Sequence, residues 1–375
     1  MDNYDLTYIT IDSLSEGVGS SQITPLITRL SKAGLKIKLI SYEKSNQNSE
    51  LADYFKLIGV SWIARPFGAN GFIGGMSRLN NLRFQIPNTS LIHARSDIPA
   101  VSGIASGLAP VLWDVRSLWA DQKVVIQNSA LNRLRYRSYR MLESIASHRS
   151  LGMSTLTSAV IPILEERNRR LPPLRTVVPT VVDLDRFQLS RKLPSKIMAL
   201  FSGTYNEYYD LRLSALFMDV LRSQIKIETH WARPNESNEK KINVGEERVL
   251  LSTQSAMAQL IPNYSFGVSI CKLNAGPSLS AAMPTKIGEF LACGRPIVVN
   301  KGLGDMDDFI KEFDAGVILD GDTGNLKRSA AELIQLVSDP ETPIRCRALA
   351  EKYFNIDVGA NKYLNIYSRM SRLIH

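Results

Sequence analysis

The 375-residue sequence predicts an α/β protein made of two Rossmann-like, doubly wound domains facing across a cleft. Short apolar, β-rich runs alternate with helical patterns along the chain, which is the rhythm of βαβ units and a parallel sheet. That rhythm breaks over the proline- and charge-rich stretch from Pro172 to Pro194 and then restarts. The length is generous for one domain and comfortable for two. The expected division is residues 1–180, a linker at 181–195, a second domain at 196–357, and a terminal helical segment at 358–375.

In the first half, Leu6–Ile11 reads as a strand, Gln22–Ala33 as a helix closed by Gly34, and Lys36–Ser41 as the next strand. Asn70–Gly75 is glycine-rich and reads as a mobile loop. Ser90–His93 and Val111–Asp114 are further strands, with Pro99–Ser106 helical between them. After the linker come strand Ile197–Ser202, helix Leu211–Leu221, and strands Ile225–Trp231, Val249–Leu251 and Phe266–Ile270. A helix at Pro284, strands Ile297–Val299 and Gly316–Leu319, and an amphipathic helix Ala360–Leu373 complete the pattern.

Composition excludes several classes. Apolar content of 44% and charged content of 22% are those of an ordinary globular protein. Three cysteines, odd in number and without CxxC spacing, argue against disulfides or structural zinc and for a reducing compartment. The first residues carry Asp2 and Asp5 rather than a basic region, unlike a signal peptide. The longest uncharged stretch, Ile98–Trp113, is interrupted by proline and glycine and falls short of the roughly 18–20 apolar residues of a membrane span. The expected compartment is the cytoplasm, with peripheral contact at the inner face of the membrane.

The net charge of +9 favours an anionic partner. No zinc-finger, RNP-like or recognition-helix pattern points to nucleic acid. Arg133, Arg137 and Arg140 recur at helical spacing, and Arg167, Arg169, Arg170 and Arg175 follow, so anionic lipid head groups are the better candidate. A solvated basic face on a helix packed against its own domain is the plainer reading and stays open.

Met283–Asn300 is the most informative segment. Pro284 suits a first helical turn, whose free N–H groups and dipole attract an anion. Lys286 and Glu289 lie on one helix face. Ile287, Phe290 and Leu291 can face a core, Gly294 ends the helix, and Pro296 starts an apolar strand. A cation at an anion-seeking helix end, with a carboxylate one turn on, suits a nucleotide diphosphate whose ribose hydroxyls need an acceptor. An i,i+3 ion pair on a surface helix is the alternative.

These residues resemble the donor-site helix of glycosyltransferase family 4, the retaining nucleotide-sugar transferases of the GT-B fold, whose wording includes P-T-K-x-x-E-[FY]-L-A-x-G-x-P-V. The resemblance extends over nearly the whole chain. Asp12–Ser20, with Gly17 and Gly19, is similar to the family's first glycine-containing loop. Asp114, Arg116 and Trp119 stand in a D-x-R-x-x-W segment that runs on to Asp121. Val178–Phe187 resembles its P-x-x-V-D-x-x-x-F linker, and Phe201–Thr204 the first strand and turn of its second domain.

The resemblance implies that Glu289 binds the donor ribose, with Pro284, Thr285, Gly203, Thr204 and Gly276 around sugar and diphosphate. It implies a terminal helix crossing back to the first domain, and acceptor-side residues Gly17, Gly19, Arg116 and Asp121. The family's histidine aligns with Arg95 rather than His93, so Arg95 and Asp97 join Lys286 as expected catalytic residues. The pattern departs in two places: Ala281 stands where a second glutamate is usual, and Tyr205–Tyr209 replaces an arginine and a lysine. Lys286 is the substitute cation. Retaining members use same-face attack assisted by the departing diphosphate, which needs positioning and charge stabilisation rather than a protein nucleophile. No cofactor or metal is expected: the acidic pairs at Asp183–Asp185 and Asp305–Asp308 are assigned to neither, with an approach of Asp305 to the cleft left open. The expected function is sugar transfer from a nucleotide-diphosphate sugar to a glycan or lipid-linked acceptor in cell-surface polysaccharide synthesis. A catalytically silent homologue that binds nucleotide or a partner protein, and a nucleotide-sugar epimerase, are the alternatives.

Overall fold

Parallel strands need crossover connections, and this chain supplies a helix or long loop between almost every pair of them. The computed structural model describes residues 3–15, 17–44, 48–69, 71–126, 129–203, 206–233, 247–251 and 254–373. Residues 1–120, 128–179 and 356–375 form one unit, and residues 121–127 and 180–355 a second.

The first unit holds a seven-stranded sheet of β1 (Leu6–Ile9), β2 (Ile37–Glu43), β3 (Ser61–Pro66), β4 (Ile92–Arg95), β5 (Val111–Val115), β6 (Gly152–Thr155) and β7 (Leu174–Val177). Its order is β3-β2-β1-β4-β5-β6-β7, and every pairing is parallel. The second unit holds β8 (Met198–Ser202), β9 (Glu228–Arg233), β10 (Glu247–Leu251), β11 (Phe266–Ser269), β12 (Ile297–Asn300) and β13 (Gly316–Leu319). Their order is β10-β9-β8-β11-β12-β13, again all parallel. In each sheet the winding reverses once, between β1 and β4 and between β8 and β11. Ligands in open α/β sheets bind beyond the carboxyl ends of strands at such reversals.

The central strands match expectation because they are buried on both faces and read as apolar runs. Three strands escape that signal. β3 is half-buried along most of its length, and β7, at a sheet edge, has only its first residue buried. β7 also falls inside Pro172–Pro194, so that stretch opens as an edge strand rather than as linker. β6 is short and contains Gly152, where a Cβ would lie 2.7 Å from the sulfur of Met370. Its missing side chain lets the helix Ile356–Arg372 lie close against the first sheet.

The glycine-rich segment at residues 71–75 is not a loop. It opens the helix Gly71–Leu82, where a Cβ on Gly74 would sit 1.8 Å from the Ala69 carbonyl oxygen and one on Gly75 3.2 Å from Ile98. Those glycines serve close packing. The helix expected at Gln22 begins as a π-helical turn, Gly19–Ile23, and continues as Thr24–Lys32.

In the second unit, helix Thr285–Ala292 lies on β11 through one tight contact. A Cβ on Gly267 would come within 2.6 Å of the Phe290 ring. Replacing Gly267 with alanine therefore forces a rigid aromatic to move. Gly267→Ala should destabilise the second unit by about 1–3 kcal/mol, read as a lower urea midpoint with unchanged m-value; an unchanged midpoint would show the contact to be slack.

Candidate functional site

The start of helix Thr285–Ala292 carries no side-chain cap. Pro284 occupies the N-cap position with φ −60° and ψ 131°, one residue earlier than the first helical turn the sequence suggested. Its ring cannot accept a hydrogen bond, so the first-turn N–H groups get no side-chain cap. Ile287, Phe290 and Leu291 face the core as expected.

Lys286 and Glu289 are not a surface ion pair: each is only 9% exposed. Burial pulls the Lys286 ammonium down to about 8, while Cys271 and Glu289 act in the opposite direction. Burial pushes the Glu289 carboxyl up to about 7, against the influence of Lys286 and Arg186. The Lys286 Nζ lies 4.4 Å from the centre of the Tyr209 ring, and 3.9 Å from where a Cβ on Gly203 would stand. Gly203 follows β8 with φ +81°. Its N–H donates to the Ala232 carbonyl at 2.8 Å and its carbonyl accepts from Trp231 Nε1 at 2.9 Å. Gly203 and Lys286 thus meet just beyond the carboxyl end of β8, with Glu289 one helical turn further on and coupled to Lys286.

Around them, Gly276 is exposed with φ +60° and opens the one-turn helix Pro277–Ser280. That segment is fastened: Tyr208 donates to the Ser278 carbonyl at 2.9 Å, and Gly304 to that of Leu279 at 3.1 Å. Ala281 and Asp305 are buried. Pro284 and Thr285 are half-buried, and Thr204 lies outside the described residues.

In the first unit a second polar cluster forms around Asp114, which is fully buried on β5. Ser154 and Tyr363 donate to its Oδ1 at 2.8 and 3.2 Å, with Arg116 Nη1 at 3.4 Å. His93 Nε2 and Arg95 Nη1 stand 3.3 and 3.6 Å from Oδ2. Burial alone would raise the Asp114 pKa, but Arg116, His93 and Arg95 hold it well below the usual carboxylate range. Burial lowers the pKa of His93, whose Nδ1 is 2.6 Å from the Tyr367 hydroxyl. Arg95 Nε donates to Asp12 at 3.0 Å.

No family model matches this sequence, and no curated protein matches it. Solved structures do. A sucrose-phosphate synthase from Thermosynechococcus elongatus superposes with a TM-score of 0.71 at 14% identity, over 98% of this chain and 99% of that one. HepE from Anabaena, solved with UDP and glucose, gives 0.66 at 11% over 99% of both chains. A TarM variant from S. aureus, solved with fondaparinux, α-GlcNAc-glycerol and UDP, gives 0.66 at 9% over 98% of this chain and all of that one. The fold is that of the GT-B glycosyltransferases.

Within the GT-B frame the expected residues divide. Lys286, Glu289 and Gly203 come together in the second unit, and Arg95, Arg116 and Asp12 in the first. Asp97 does not join Arg95: it accepts from Trp113 Nε1 at 3.0 Å. Burial and the neighbouring Glu143 push Asp97 up to about 7 against Arg140, so it belongs to a buried network inside the first unit. Arg140 pairs with buried Glu143, which also accepts from Asn168 at 2.9 Å, and so leaves the expected membrane patch. Arg133 and Arg137 remain exposed. Asp121 lies in residues 121–127, which belong to the second unit rather than the first.

Gly17 is exposed with φ +54°, and a Cβ on Gly19 would be 1.8 Å from the Ser13 carbonyl oxygen, so Gly19 admits the loop's own backbone. Two residues that shape these sites went unseen in the sequence. Ser96, at the end of β4, has φ +78° and ψ 176°, a region nearly confined to glycine. Such a conformation costs about 1–3 kcal/mol and clusters at functional sites. Glu43, buried at the end of β2, accepts from Ser13 Oγ at 2.5 Å, Ser41 Oγ at 2.6 Å and Leu14 N at 3.1 Å. It ties down the loop that carries Asp12, Gly17 and Gly19. Glu43→Gln keeps the shape and loses the charge-assisted bonds, so hydrogen exchange over residues 12–19 should speed up by roughly 10-fold or more. Unchanged protection would relieve Glu43 of that role.

Proposed function

We propose that this chain is a retaining nucleotide-sugar glycosyltransferase acting on a glycan or lipid-linked acceptor in cell-surface polysaccharide synthesis, in the cytoplasm or against the inner membrane face. One observation carries the reading: Lys286 is buried over Tyr209, beside Gly203, at a helix start without a side-chain cap. A surface ion pair has no use for that arrangement, whereas a departing nucleoside diphosphate requires it. HepE and TarM, both solved with UDP, add weight to a nucleoside diphosphate as donor leaving group.

In the reaction, the bond between the sugar anomeric carbon and the diphosphate oxygen breaks, and an acceptor hydroxyl attacks the same face. Its proton passes to the departing phosphate. Negative charge grows on the diphosphate as it leaves, and Lys286 with the first-turn N–H groups meets it there. Removal from water makes each of those interactions stronger than it would be at a surface. Glu289 accepts from the ribose hydroxyls, with Thr285 and Pro284 lining the helix start and Gly276 beside the sugar. In the first unit Arg95, oriented by Asp12 and Asp114, and Arg116 hold the acceptor. Metal has no part in this reading.

The titrations set the pH dependence. Lys286 is charged below about 8 and Glu289 is ionised above about 7. Diphosphate binding needs the first and the ribose contact needs the second. UDP affinity, measured by calorimetry between pH 6 and 9.5, should therefore peak between those values and fall on both sides. Lys286→Met should remove the alkaline fall and weaken UDP by roughly 10–100-fold, the worth of a charge-assisted contact. A flat wild-type profile, or a variant that binds as tightly, would refute the assignment.

Activity separates the enzyme from a silent homologue. A thermal-shift panel of UDP, GDP and dTDP should pick out one nucleotide, and the matching nucleotide sugar should then be hydrolysed slowly without acceptor. Binding with no turnover would favour the silent homologue.

A further inference from the structure

A third polar cluster belongs to neither constellation described above. Tyr42 and Arg65 are direct neighbours across β2 and β3, so their side chains leave the sheet on the same face. Arg78, on helix Gly71–Leu82, covers that face: its guanidinium carbon lies 6.0 Å from the Tyr42 ring centre and 4.1 Å from that of Phe67. Tyr42 is 4% exposed and Arg78 7%. The Tyr42 hydroxyl, Arg65 Nε and Arg78 Nε are all buried atoms with no hydrogen-bond partner among the described residues.

Arg78 Nη1 is taken up by the Phe67 and Ala69 carbonyls at 2.7 and 3.0 Å, which fixes the guanidinium plane and leaves its Nε edge unused. Among the described residues neither arginine is paired with a carboxylate. The adjacent acid, Glu43, is one residue along β2 and so on the opposite face, where Ser13, Leu14 and Ser41 occupy it. Two guanidinium groups and a phenol, held together at the carboxyl ends of parallel strands without a counter-charge, are costly unless an anion completes them. Burial accordingly lowers the pKa of Arg78 and raises that of Tyr42.

We propose that Tyr42, Arg65 and Arg78 form an oxyanion subsite at the carboxyl ends of β2 and β3, which takes the phosphate group of a phosphorylated acceptor. Arginine forks match phosphate oxygens in paired hydrogen bonds, and the phenol donates a further one. The anion site stands on its own geometry; its assignment to an acceptor rests on reading the first unit as the acceptor side.

The test is calorimetry on the full chain with inorganic phosphate and glucose 6-phosphate, with glucose as control, at fixed ionic strength. Both phosphates should bind and glucose alone should not. Arg65→Gln, at a half-buried edge strand, should weaken phosphate roughly 10-fold or more, and Tyr42→Phe several-fold. Both variants should keep wild-type melting and bind UDP as wild type does. Vesicles of phosphatidylglycerol against phosphatidylcholine separate the two sources of phosphate: binding to the former that Arg65→Gln removes makes the acceptor a lipid phosphate, and its absence makes it a soluble one. Phosphate affinity equal in wild type and both variants, or no phosphate binding at all, overturns the subsite. Failure of UDP to bind any of the three proteins would instead count against the donor reading, since the phosphate difference is read independently of it.

Discussion

Burial of the Lys286 ammonium is the constraint on which the second unit turns. Taking a charge out of water costs several kcal/mol, and a helix start, with its positive end of the dipole, is an unfavourable place to put a cation. What the fold gives back is partial: Glu289 three residues on, itself pushed toward its neutral form, and the face of Tyr209, worth about 0.5–2 kcal/mol. Such a site persists only when its scaffold holds it, and the opposite face of the same helix does so. Ile287, Phe290 and Leu291 are fully buried, and Gly267 and Gly288 let Phe290 and Phe354 approach at distances no side chain would allow. Local strain at the site is thereby set against packing immediately behind it, the usual relation between stability and activity.

The first unit solves the opposite problem. Asp114 is a buried charge with donors and cations arranged around it, and they hold it ionised. Its service is orientation: Arg95 is caught between Asp114 and Asp12, Asp12 rides on a loop anchored by Glu43, and His93, its pKa lowered by burial against the pull of Asp114, is held between Asp114 and Tyr367. A guanidinium fixed in this way gives up little rotamer freedom when a ligand arrives, which is the physical content of pre-organisation. The strained backbone at Ser96 belongs to the same logic, since its N–H donates to the Asp114 carbonyl at 2.9 Å and draws the end of β4 toward β5.

The sequence made the central strands and the Pro284 helix legible because both write themselves locally, one as apolar runs and the other as a proline-to-glycine frame with an apolar stripe. β3 and β7 were hidden because edge strands are half wet and carry mixed residues. The glycines at 74 and 75 misled because glycine marks close approach as readily as a turn, and only the position of Ala69 and Ile98 tells which. Asp97 and Arg140 misled for a different reason: each carries a charge that suits a ligand, yet the first is spent on Trp113 of the neighbouring strand and the second on Glu143, one helical turn away. Glu43 had no local signature at all, because its work is done on residues about thirty positions earlier. The partial legibility of the site therefore follows sequence separation: Lys286 and Glu289 share one helical turn, whereas the clusters at Asp114 and at Tyr42 are assembled from strands brought together by the sheet.

The two departures from the family-4 pattern make physical sense together. An acid in place of Ala281 would stand at a buried position, and an arginine and lysine after Gly203 would follow the residue that lies beside Lys286. The chain has neither: Ala281 is a buried methyl, and the ring of Tyr209 lies under the ammonium. Losing charges of both signs keeps the count near balance and, on the proposed reading, leaves one cation to meet a diphosphate. That concentration has a consequence for how the site would work. Where several cations share a leaving group, removal of any one is cushioned by the others; here the ammonium of Lys286 and the backbone of its helix start stand with no second side-chain cation among the residues assigned to the donor. The hold on the diphosphate itself would then follow the protonation of Lys286, with Glu289 governing the ribose contact, and the low dielectric that depresses the Lys286 pKa would strengthen its grip once the anion enters.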